Sequence, residues 1–136
     1  MIEHGIKENL TIVFQKDTTP SDMYTLAYSE TLDFLLSTPQ LLEMIIEAST
    51  NALDKLLPIE YVTVGKHLEL DHQNPTLIGE PITLKMKVRK VDGNKVYLEI
   101  TGEDSYGIFC KADYERVIVN RNHLMQHAFE RAHHAL

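Results

Sequence analysis

The chain has 136 residues, 43% hydrophobic and 24% charged, with a formal net charge of −7, which fits one soluble domain with room for a core. The acidity argues against nucleic acid or an anionic membrane as main partner, since neither attracts a net-acidic surface at long range. A single cysteine, Cys110, leaves no internal disulfide, and MIEHGIKENL lacks a basic region followed by an apolar stretch, so no signal peptide is read and a cytoplasmic location is expected. No apolar run approaches the ~20 residues of a membrane span.

The first predicted element is a strand over residues 9–15, NLTIVFQ, rich in β-branched and aromatic residues and followed by the turn-like DTTPSD. Residues 22–36 combine weak helical spacing with the character of a loop that covers something. Thr38 followed by Pro39 predicts a helix start, with the threonine hydroxyl as cap and the proline where no donor is wasted. The helix is expected to run to about Leu57 and stop at Pro58. Leu42, Ile45, Ile46, Ala52, Leu53, Leu56 and Leu57 form its predicted buried face, opposite a polar stripe of Glu43, Glu47, Thr50 and Asp54.

Four strands follow: YVTVGKHLELDH over 61–72, ITLKMKVRKV over 82–91, NKVYLEITGED over 94–104 and GIFCKADYERVIVN over 107–120. Their alternation and the turn at Asp92-Gly93-Asn94 predict an antiparallel meander. The tail over 119–136 reads as a short helix that packs loosely or frays. Residues 1–136 are thus expected to form one α+β domain, a long helix covering one face of a curved antiparallel sheet.

This β-α-β-β-β-β order resembles the hotdog fold. LSTPQLLEMIIEA resembles the helix start of the fluoroacetyl-CoA thioesterase family, VGKHLELDHQNPTLIG resembles its segment of glycine, histidine and Thr-x-x-Gly, and ADYERVIV resembles its closing strand with a Glu-Arg pair. The resemblance implies hydrolysis of an acyl-CoA thioester by a threonine, a histidine and a glutamate, with no cofactor beyond the CoA of the substrate. It also implies a homodimer with acyl sites at the subunit junction. By position the threonine falls on Thr38 and the histidine on His72. The glutamate falls on Ile46, whose aliphatic side chain neither takes a proton nor hydrogen-bonds a hydroxyl.

Each candidate carries a plainer reading beside the functional one. Thr38 serves as a helix cap or as a hydroxyl at the positive end of the helix dipole, where an oxyanion is stabilised. His72 shares a strand face with Leu68 and Leu70, so it is a satisfied core histidine or a general base; His67 lies on the opposite face. Glu43 and Glu47 are solvated residues or members of a site composed of two chains, with Glu47, beside the lost position, as the backup base. Gly65 marks a bulge or the close approach of a thioester. Arg116 binds the acyl or pantetheine end or joins a surface ladder, and Thr76 and Gly79 shape a pocket rim or an ordinary connection. Lys85, Lys87 and Arg89 form a solvated sheet face or attract CoA phosphates.

His123 and His127, with Glu130 near, lack a third ligand, and no metal is expected. Cys110 reads as a small strand residue. The sequence therefore supports a thioesterase for a small acyl-CoA, with two alternatives: a non-catalytic acyl-CoA or small-ligand binding protein that has lost its acid, and a hydratase using Asp71-His72.

Overall fold

The computed structural model describes residues 2–23 and 34–134. Strand β1 (Thr11–Asp17) is followed by a short 3-10 turn (Pro20–Asp22), helix α1 (Thr38–Asp54), strands β2 (Tyr61–His72), β3 (Pro81–Asp92), β4 (Lys95–Asp104) and β5 (Gly107–Asn120), and helix α2 (Arg121–His134). The strands form one antiparallel sheet in the order β1-β3-β4-β5-β2, which leaves β1 and β2 as edges. Among the described residues no helix is long and apolar enough to cross a membrane.

Alternation decides which face of the sheet is buried. In β3, Ile82, Leu84, Met86 and Val88 point inward while Lys85, Lys87 and Arg89 are exposed. In β5 the inward series is Cys110, Ala112, Tyr114, Arg116 and Ile118. Helix α1 closes this face with Leu41, Met44, Ile45, Ala48, Ser49 and Leu53. On the outer face the β3 cations meet acids of β4 and β5, Lys85 with Glu103 at 3.3 Å and Arg89 with Glu99 at 3.7 Å. Such exposed pairs contribute under about 1 kcal/mol each, but they show a solvated face.

Four expectations need correction. Ser37, not Thr38, caps α1: its side chain accepts the Gln40 N–H at 3.2 Å, and Thr38 is the first helical residue. The helix ends at Asp54, after which Leu56 and Leu57 make tighter turn bonds to Leu53 and Asp54. Ile46 is 43% exposed and Leu42 is half-buried; Leu41, Met44 and Ala48 join Ile45 and Leu53 on the buried face instead. Strand β1 begins at Thr11, because Asn9 adopts φ 70 in the preceding turn. Most of the ambiguous stretch at 22–36, residues 24–33, lies outside the described residues.

Candidate active site

The site forms where α1 starts and β2 ends. Since Ser37 satisfies the cap, the Thr38 hydroxyl is not needed there, and its Oγ1 lies 2.8 Å from His72 Nδ1. His72 reaches it as the last residue of β2, on the face that strand alternation turns toward the helix together with the half-buried Leu68 and Leu70. Hydrogen bonding thus joins residues 34 positions apart in sequence.

The imidazole stands edge-on to the buried Phe109 ring, with centroids 6.1 Å apart. Its Nε2 is buried and has no hydrogen-bond partner among the described residues. Burial pushes its pKa below the ordinary 6.5, because desolvation penalises the charged ring. The ring is therefore neutral near pH 7, with a lone pair available to take a proton. Leu35, Leu36, Thr38, His72, Gln73, Asn74 and Pro75 surround a cleft of about 240 Å³.

The cleft wall is tied to the sheet rather than left as a free loop. The Leu36 N–H donates to Thr76 O at 2.9 Å and the Ile78 N–H to Phe34 O at 2.8 Å. Thr76 Oγ1 donates to Asp104 Oδ2 at 2.8 Å, and Asn74 Nδ2 donates to Ile108 O at 2.9 Å. Thr76, 1% exposed, therefore anchors the wall from behind. Gly79 allows the turn that follows, with φ 100 and its N–H donated to Thr18 Oγ1. Neither lines the cleft.

Gly65 and Arg116 belong to a different place. They face each other across β2 and β5, beside the irregularity between Gly65 and His67, about 23 Å of strand from His72. Arg116 is 2% exposed. Its Nε donates to Thr63 Oγ1 at 2.9 Å, Nη1 to the Tyr114 hydroxyl at 2.7 Å, and Nη2 to Thr50 Oγ1 at 2.9 Å and Thr63 O at 2.7 Å. Thr63 in turn donates its hydroxyl and its N–H to Asp54 Oδ1, at 2.6 and 2.9 Å. One hydroxyl thus couples the buried cation to a carboxylate at the end of α1. A Cβ on Gly65 would come within 2.5 Å of the Tyr114 hydroxyl, so the glycine makes room for that arrangement.

Glu43, Ile46 and Glu47 lie on the exposed stripe of α1. Neither glutamate hydrogen-bonds Thr38 or His72. The residues that sequence reasoning passed over are Ser37, which frees Thr38 from capping, and Phe109 and Gly102 behind His72. A Cβ on Gly102 would run into Cys110 Sγ and come 3.0 Å from the Phe109 ring. Serine's better capping power was a usable signal for the first; the others depend on which strands pair. Burial raises the Cys110 thiol pKa to about 11, which keeps it inert.

Comparison with known proteins gives this geometry a family. Residues 19–122 match the model of the FlK fluoroacetyl-CoA-specific thioesterase family, a span that includes both Thr38 and His72. No curated protein matches the chain. Among solved structures, a hot-dog-like protein from Thermanaerovibrio acidaminovorans is 29% identical over 91% of each chain, with a TM-score of 0.83. A Thermus thermophilus thioesterase superfamily member is 19% identical over 96% of each chain, with a TM-score of 0.80. A mutant of FlK itself is 13% identical over 95% of this chain and 99% of that one, with a TM-score of 0.83. The architecture is therefore the hotdog fold, and the chain belongs to the fluoroacetyl-CoA-specific thioesterase family.

Proposed function

We propose that the protein hydrolyses the thioester of a small acyl-CoA in the cytoplasm, using Thr38 as nucleophile and His72 as general base. The contact that carries this reading is the 2.8 Å Thr38 Oγ1–His72 Nδ1 hydrogen bond at the edge of the cleft. As the hydroxyl attacks the carbonyl carbon, its proton passes to Nδ1; the C–S bond breaks and the departing thiolate takes that proton. Water then attacks the acyl-threonine ester, giving its proton to His72, and the free acid leaves as Thr38 regains its hydrogen. The positive end of the α1 dipole lies beside the developing oxyanion.

A cleft of about 240 Å³ suits a short acyl group with the rest of CoA outside it. CoA and acetyl-CoA occupy solved FlK structures, which supports the substrate class. We further propose a homodimer joined along the free edge of β2, so that two clefts lie near one junction. The reading predicts that Thr38→Val and His72→Ala each lower turnover of short acyl-CoAs by about 100-fold or more, followed as released thiol. Near-normal turnover in both folded variants would exclude this mechanism.

A second reading, an acyl-CoA binding protein without turnover, is favoured by one observation. Ile46, where the family resemblance places the glutamate, carries no ionisable group and stands on an exposed face of α1. Saturable CoA binding without thiol release from any acyl-CoA tested would select it.

A further inference from the structure

Helix α2 follows β5 without a break, yet none of its described residues is buried. Among the described residues, the hydrogen bonds that tie it to the rest of the chain lie at its root. Asn120 Oδ1 accepts the N–H groups of Asn122 and His123, the Arg121 N–H donates to Glu60 O, and Arg121 Nε donates to Ile59 O. Its 14 residues amount to about 21 Å of helix, a length that is marginal in water without packing. Met125 and Phe129, one turn apart on the same side, are 53% and 69% exposed, and Leu124 is 37% exposed. A helix of this length with an apolar stripe is stable when something covers the stripe.

The cleft end of the sheet offers a matching surface. Phe34, Leu77 and Ile108 are 66%, 55% and 42% exposed, and all three belong to the segments tied together around the cleft. Charge complements the fit. The helix carries two arginines against one glutamate on a chain of net charge −7, while Asp71 precedes His72, Asp104 accepts from Thr76 and Glu80 accepts from Ser105 at the cleft end of the sheet.

Within one chain the two surfaces lie at opposite ends of β2, since α2 leaves beside Tyr61 and the cleft lies at His72. Twofold pairing of identical edge strands is necessarily antiparallel, and it sets the Tyr61 end of one β2 alongside the His72 end of the other. We infer that α2 reaches across the dimer and seats Met125 and Phe129 on the Phe34–Leu77–Ile108 rim of the second copy, completing the wall of that copy's active site. The inference rests on the β2-edge dimer proposed above and is independent of turnover.

The test is cysteine cross-linking of the full chain under mild oxidation. Phe129→Cys is combined in turn with Leu77→Cys and with Ile108→Cys, and each single variant serves as control; all three positions are exposed, so folding is retained. A covalent dimer that forms in at least one double variant and in no single variant supports the docking. Absence of that product in both, or a chain that sediments as a monomer, overturns it. Because the readout is a disulfide rather than a rate, the docking and the thioesterase reading stand or fall separately.

Discussion

At the scale of single residues, the proposed mechanism turns on what surrounds one imidazole. His72 is neutral because burial lowers its pKa below 6.5, so the acid limb of a kcat/KM profile is expected below pH 6.5, with a plateau above. The same shift links to stability with a defined sign. Between the folded and unfolded pKa values the unfolded chain binds more protons at this site, so stability increases with pH there. The contribution is complete above about 6.5 and is lost as pH falls through the folded value. Thermal melts of wild type and His72→Gln across this window check it: the variant shows a shallower pH dependence. The Thr38–His72 pairing was only partly legible in sequence. Strand alternation pointed His72 toward the helix, but Ser37 and Thr38 compete for the cap, and periodicity does not choose between adjacent hydroxyl residues.

At the scale of elements, the polar cluster at the far end of α1 behaves as a structural clamp. Arg116 binds Thr63, Tyr114 and Thr50 together, and Thr63 passes the charge on to Asp54, so β2, β5 and α1 share one network. Removing the guanidinium leaves several buried polar groups without partners, and Arg116→Leu is expected to lower stability by about 3 kcal/mol. Gly65→Ala acts on the same network by displacing the Tyr114 hydroxyl, at about 1–3 kcal/mol. Denaturant titration measures both. A large loss of CoA affinity with stability unchanged would instead give these residues a substrate role. The strands themselves were plain in sequence: β2 and β5 fall where alternation and turn residues put them. Helix phase was harder to read, because α1 carries aliphatic residues on both faces, Ile45 inside and Ile46 outside. Only the tertiary contacts decide between them.

At the scale of the whole molecule, one feature has a strong genetic corollary. Hydrogen bonding between Thr38 and His72 occurs inside a single polypeptide, even where two copies sit side by side. Chains that have lost the hydroxyl and chains that have lost the ring therefore cannot rescue each other. Co-expressing Thr38→Val with His72→Ala and isolating the mixed assembly by two different affinity tags is expected to yield no more thiol release than either parent. Pairing the double-defective chain with wild type is expected to leave half the sites working, so the hydroxyl and the imidazole of every working site are inherited together from one parent chain.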